Sequence, residues 1–136
     1  MPTFSATSEK KLATCNIQLV ELFTEVVKVI DITILDGHRT KELQDLYYSQ
    51  GKSKIKWPNG KHNSLPALAV DVAPYPIDWS DRKKVRFYYL AGVVKDRAAV
   101  LGIPIRWGGD WDGDLDFFDQ SFVDLPHFEL STRGPN

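Results

Sequence analysis

The sequence predicts an α+β domain, with helices packed on a small, mainly antiparallel sheet. Three observations carry this. Apolar residues recur at helical spacing in long stretches of the chain. Four short segments, ITIL (32–35), LAVDVA (68–73), IPIRW (103–107) and HFEL (127–130), read as strands. The two kinds of element are mixed without a regular βαβ alternation.

The elements follow in order. Ser8, with Glu9, Lys10 and Lys11 behind it, marks a helix start. From Asn16 to Ile30, the residues Leu19, Leu22, Phe23, Val26, Val27 and Ile30 form one core-facing helical stripe. The strand 32–35 ends at DGHR, and a helix from Thr40 to Ser49 is closed by Gly51. Residues 52–66 form a polar loop with Pro58, Asn59, Gly60 and Pro66. After the strand 68–73, the longest helix runs from Asp81 to Leu101 and stops at Gly102. Strand 103–107, an acidic loop over 108–124, strand 127–130 and a frayed polar tail complete the chain. Pro126 suggests that the last strand lies at an edge or begins just after it.

The 136 residues fit a single domain, 1–136, without repeat, linker or low-complexity segment. At 43% hydrophobic and 26% charged the chain has an ordinary globular composition, which excludes global disorder. The net charge of −1 gives no global argument for nucleic acid, and none is expected as a partner. Cys15 stands alone, so no internal disulfide can form. The start, MPTFSATSEKK, has no basic segment followed by an apolar run, and the apolar stretches fall short of a membrane span. The expectation is a cytoplasmic monomer with no membrane anchor.

The chemistry gathers around KHNSLPALAVDVAPYPIDW (61–79), where Asp71 sits mid-strand, nine residues after His62. A carboxylate there must be paired, hydrogen-bonded or bound to a metal. Strand alternation turns Leu68, Val70 and Val72 toward a core, and Ala69, Asp71 and Ala73 the other way, with the alanines leaving a clearing around Asp71. At this point a structural aspartate and a ligand are both open. There are three histidines, His38, His62 and His127. In DLPHFEL, His127 and Glu129 share one strand face while Phe128 and Leu130 share the other. Two neutral imidazoles and one carboxylate suit zinc with an open fourth position. The spacing is not the HExxH helix motif.

DGHRTKELQ (36–44), GKSKIKWPNGKHNSLPALAVDVAPYPIDW (51–79), IRWGGDWD (105–112) and FVDLPHFEL (122–130) occur in that order. Together they resemble the zinc peptidases of the D-alanyl-D-alanine carboxypeptidase and dipeptidase family, in particular its phage endolysin branch of L-alanyl-D-glutamate peptidases. The similarity runs from about residue 30 to 130. It implies a hedgehog/D,D-peptidase-like fold and Zn2+ bound by His62, Asp71 and His127. It also implies Asp124 as general base and Arg39 as the group that polarises the scissile carbonyl and stabilises the oxyanion. Ser53 would order the loop near the first ligand. The His–Asp separation is nine here, where many members of the family have seven.

The resemblance further implies action on bacterial peptidoglycan, with the L-Ala–D-Glu bond favoured. The chain would wait in the host cytoplasm until a phage holin opens the membrane. The same metal site would also serve a D,D-carboxypeptidase or dipeptidase, and a catalytically silent wall-binding zinc protein is a reading of another class. Glu129 is the rival base, or else the partner that holds a ligand histidine. Trp107 and Trp111 offer apolar cleft surfaces, and His38 adjoins Arg39 and could reach substrate. Lys52, Lys54, Lys56 and Lys61 around Trp57 could grip an anionic polymer or simply form a solvated face. Asp110, Asp112, Asp114, Asp116 and Asp119 crowd one loop with no Lys or Arg between Arg106 and Arg133. Ca2+ would relieve that repulsion, although a solvated loop is the plainer reading; counted from Asp112, Phe117 and Val123 stand where an EF-hand needs Gly and Glu.

Overall fold

The computed structural model describes residues 2–131. The chain runs α1 (Ala6–Leu12), α2 (Ile17–Val26), β1 (Ile32–Asp36), α3 (Lys41–Ser49), β2 (Ala69–Pro74), α4 (Val85–Leu101), β3 (Ile105–Trp107) and β4 (His127–Leu130). The strands form one sheet in the order β1-β2-β4-β3, every pair antiparallel. The α+β expectation therefore holds, and the polar tail expected after β4 lies, beyond Ser131, outside the described residues.

Helix ends account for most boundary differences. The first helix is capped by Ser5, whose Oγ accepts from the Ser8 N–H, and not by Ser8 as expected. Ser8 is buried, and its Oγ accepts from the Ile34 N–H at 3.0 Å, tying α1 to β1. Asn16 caps α2 through the Gln18 N–H at 2.9 Å. That helix stops at Val26, and Ile30 packs against the core from the turn that follows. The fourth helix begins at Val85 and not at Asp81, because residues 83 and 84 turn back to donate to the Ser80 carbonyl. It ends at Gly102, whose φ of +70° suits a residue without Cβ.

Helices α2 and α4 cover one face of the sheet. Leu19, Leu22, Phe23 and Val26 meet Leu90, Val94 and Ala98 there, over Val70, Val72 and Phe128. The Phe23 ring meets Phe128 edge-on at 5.6 Å, and Trp107 stacks on Phe128 at 6.5 Å. Trp107 thus belongs to the core and not to a cleft wall: its residue is 5% exposed, and its indole N–H is satisfied by the Leu125 carbonyl at 2.7 Å. Two further expectations change. The last strand is interior, between β2 and β3, so Pro126 marks its start rather than an edge. Leu68 lies before β2 and is exposed, while Ala69 and Ala73 are fully covered, so Asp71 does not sit in an open clearing. Ala69 stands opposite Glu129, whose ion pairs with Lys61 and Arg106 occupy that end of the face.

The loop between β3 and β4 is pinched at its base. Gly108 N–H donates to the His127 carbonyl at 2.8 Å, Asp124 N–H to the Gly108 carbonyl at 2.9 Å, and His127 N–H to the Asp124 carbonyl at 3.1 Å. The approach is close enough that a Cβ on Gly108 would collide with the Asp124 carbonyl oxygen. Gly92 is the opposite case, an exposed position inside α4 with nothing within 4 Å of its would-be Cβ. Gly108→Ala should therefore destabilise the fold by about 1–3 kcal/mol, and Gly92→Ala should stabilise it by about 0.5–1 kcal/mol. Urea denaturation of the two variants measures both. Equal effects would show that the pinch at 108 is not a close contact.

Candidate metal centre and cleft

The uncovered face of the sheet holds the polar residues. Antiparallel register sets Asp71 opposite His127 and Glu129 between Ala69 and Arg106. Asp36 of β1 is Asp71's neighbour on the other side, across a register irregularity. Two carboxylates side by side repel, and Arg39 answers both: its Nη2 lies 3.0 Å from Asp71 Oδ2 and 3.5 Å from Asp36 Oδ2.

The segment DGHRT builds this corner residue by residue. Gly37 lets the turn lie against the end of α1, where a Cβ would strike the Lys11 carbonyl and Thr14 Oγ1. His38 donates its N–H to Thr14 Oγ1, and its ring reaches the Ser64 carbonyl at 3.0 Å. That ring braces the 61–66 loop and does not line the cleft. Thr40 caps α3. His62 is docked on the same turn twice: Arg39 N–H donates to its carbonyl at 2.7 Å, and its Nδ1 meets the Gly37 carbonyl at 2.8 Å.

His62 Nε2, His127 Nδ1 and Asp71 Oδ1 stand at the corners of a triangle with all three sides 3.3 Å. Each imidazole has its other nitrogen against an acceptor, the Gly37 carbonyl for His62 and Glu129 Oε1 at 2.8 Å for His127. Those nitrogens must carry the protons, which leaves both lone pairs facing into the triangle. Asp71 Oδ1 is buried without a hydrogen-bond partner, while Oδ2 is occupied by Arg39. Such a set is unfavourable without a positive charge among the three atoms. Bonds of about 2.0–2.1 Å in tetrahedral geometry require ligand–ligand edges of about 3.3–3.4 Å. The residues thus fit a metal ion in donor type, protonation and spacing.

Burial works against ionising Asp71, but the two imidazoles that face it, His62 and His127, outweigh it and hold the carboxyl well below the usual carboxylate range. Burial likewise opposes charge on His127, yet Asp71 and Glu129 raise it to about 9; that proton is what a cation would displace. Glu129 is held down to about 2, against its burial, by His127 and Arg106. Arg106 Nη2 lies 2.6 Å and Lys61 Nζ 3.0 Å from its Oε2. Asp124 behaves oppositely: burial, then the charge of Asp71, push it up to about 6. Its Oδ2 lies 3.8 Å from His127 Nδ1, on the rim of the triangle.

The triangle lies in a cleft of roughly 1190 Å³. Arg39, Ser53, Trp111, Asp124 and Glu129 line it, and Trp107 and His38 do not. The Trp111 ring sits 5.3 Å from that of His127, with its indole N–H on the Phe122 carbonyl at 2.8 Å. Arg106, Asn63 and Gln44 join the site without a role expected from the sequence. Gln44 is 1% exposed. Its Oε1 accepts from Arg39 Nη1 and Asn63 Nδ2, and its Nε2 donates to Ser53 Oγ and the Ile55 carbonyl, so all its hydrogen-bonding positions are used. The sequence signal for it is Tyr47, three residues on and on the same helix face, whose ring packs under Arg39 at 4.7 Å. In the acidic loop, ligand oxygens of Asp110, Asp112 and Asp114 come within 4.8 Å of one another. Side chains of Asp112, Asp114 and Asp116 accept from backbone N–H groups two residues on.

The family model described as phage L-alanyl-D-glutamate peptidase matches residues 2–131. The L-alanyl-D-glutamate peptidase of Escherichia phage T5 is 31% identical over 135 residues, covering 93% of this chain and 96% of that protein. The crystal structure of the Serratia marcescens L-Ala D-Glu endopeptidase ChiX superposes with a TM-score of 0.75 at 26% identity, covering 96% of this chain and 90% of that one. With a match across nearly its whole length and a shared fold around the cleft, this chain belongs to the phage L-alanyl-D-glutamate peptidase family.

Proposed function

We propose that this chain is a zinc-dependent peptidoglycan endopeptidase that hydrolyses the L-Ala–D-Glu bond of stem peptides in phage-driven lysis. The observation that carries the reading is the 3.3 Å triangle of His62, Asp71 and His127 in the cleft of a member of this family. Those three residues would hold the zinc, which when bound supplies Lewis acidity toward water and toward a carbonyl.

The chain's own groups divide the remaining work. Asp124 takes a proton from the attacking water at its carboxylate and delivers it to the leaving amine. Its support is a position beside the triangle and a pKa raised to about 6, which leaves it ionised at neutral pH yet basic enough to accept. Glu129 is the poorer base, since Lys61 and Arg106 hold it ionised; its other oxygen accepts from His127 and fixes the tautomer and orientation of that ring. Arg39 aims Asp71 by occupying Oδ2, and it lends positive charge to the oxyanion that develops at the scissile carbonyl. Ser53, tied to Gln44, and the Trp111 ring flank the peptide. The convergence of Asp110, Asp112 and Asp114 supports calcium as a second ion on the cleft's outer loop, the alternative being a solvated loop. The reading extends to a monomer that waits in the host cytoplasm and reaches the wall through a holin lesion.

Mass spectrometry of purified peptidoglycan digested by the protein should reveal new N-terminal D-Glu; release of D-Ala would instead mark a D,D-carboxypeptidase, and no product a silent wall binder. Expression without a holin should leave cells intact, and outside addition to permeabilised cells should clear them. Elemental analysis of the purified protein should find about one zinc per chain, with calcium present only if the acidic loop binds it. His62→Ala and His127→Ala should lose both zinc and activity, and normal zinc in both would show that the ligands are misassigned. Asp124→Ala should keep zinc and fold and lose on the order of 100-fold or more in kcat. An active Asp124→Ala beside a zinc-replete, inactive Glu129→Ala would reverse the base assignment.

A further inference from the structure

The cleft is cationic although the chain carries a net charge of −1. Seven lysine and arginine side chains line it against four carboxylates. Five of the seven are engaged. Arg39 lies on Asp71 and Asp36, and both Lys61 and Arg106 lie on Glu129. Lys11 donates to the Leu35 carbonyl at 2.9 Å, and Lys84 faces Asp81 at 3.6 Å.

Lys52 and Lys54 differ. Among the described residues neither has a carboxylate within ion-pair distance, and each ammonium rests on a ring instead. Lys52 Nζ lies 5.6 Å from the centre of the Tyr47 ring, and Lys54 Nζ 5.7 Å from that of Phe122. A ring face attracts a cation without neutralising it. The two lysines flank Ser53, and Lys54 reaches across the cleft toward the segment that carries Asp124.

We infer that Lys52 and Lys54 form a carboxylate-recognition subsite, with Lys54 as its principal cation, that reads the free carboxylate of the D-glutamyl residue beside the scissile bond. This rests on the reaction proposed above and deepens it. A D-glutamyl residue has two carboxyl groups. One continues the peptide, and the other remains next to the scissile amide, ionised near neutral pH. Asp124 already places negative charge close to the reacting position, so a second carboxylate is repelled there unless a cation offsets it. Arg39, Lys61 and Arg106 cannot turn to it without uncovering buried Asp71 or Glu129. Lys52 and Lys54 give up only a ring contact, and their flexible stems let them follow the anion.

The test uses two synthetic stem peptides, identical except that the D-glutamyl carboxylate is free in one and amidated in the other. The zinc-loaded wild-type protein should favour the free carboxylate by about tenfold or more in kcat/KM, expressed mainly in KM, and rising salt should narrow the gap. The double variant Lys52→Met/Lys54→Met should bring the ratio near one, and Lys54→Glu should reverse it, both with the zinc content and thermal midpoint of the wild type. Equal use of the two peptides by the wild type, or an undiminished preference in Lys54→Glu and the double variant, overturns the inference and leaves the peptidase reading standing. Cleavage of neither peptide by the wild type overturns both.

Discussion

The antiparallel register of β2 on β4 is the constraint from which the rest of the site follows. It sets Asp71 against His127 on one face and Val70 against Phe128 on the other. Side chains alternate along a strand, so a slip of one residue would carry the carboxylate into the hydrophobic core and the valine into the cleft. The core thereby enforces the grouping of His62, Asp71 and His127 that could hold a metal. The apolar faces of α2 and α4 accept only the register that leaves His127, Glu129 and Asp71 on the open side.

That arrangement collects charge, and the charges are settled in pairs. Asp36 and Asp71 share Arg39, while Glu129 shares Lys61, Arg106 and His127. Buried ionic groups of this kind contribute little net stability, because desolvation offsets their attraction. What they supply is orientation. Arg39 occupies one oxygen of Asp71 and leaves the other turned to the histidines. Glu129 and the Gly37 carbonyl choose which nitrogen of each histidine stays free. Gln44 carries the same order outward, from Arg39 to Ser53 and the loop beyond it.

Much of this was legible in the sequence because it rests on strand alternation. Asp71 in LAVDVA, and His127 and Glu129 together in HFEL, follow from a period of two. The same period, applied to IRW, separates Arg106 from Ile105 and Trp107. Since Ile105 is core, Trp107 had to be core as well, and Arg106 had to face Glu129. Reading Trp107 with the glycines that follow it, and not with its strand, hid that. Strand order was not legible, because a proline before a strand says nothing about which neighbours the strand will find; β4 became interior through contacts distant in sequence. Ser5 outranked Ser8 as a cap for a similar reason, since Ser8 was needed by β1. The docking of His62 on the DGHRT turn depends on backbone hydrogen bonds that side-chain patterns do not announce.

The pinch that joins Gly108, Asp124 and His127 has a consequence for how such a chain can diversify. Residues 109–123 leave and return through adjacent backbone positions, and the Trp111 indole on the Phe122 carbonyl closes the neck above them, so the outer part of the loop hangs from ends that are already fixed. Adding to a loop whose ends are already fixed costs little, because closure entropy grows only slowly with length. Insertions and exchanges of charge can be carried at the exposed tip, residues 112–116, while Trp111 and Phe122 keep their places in the cleft and Phe117 stays on the core. The tip can thus vary in length and charge while the residues that line the cleft stay in place.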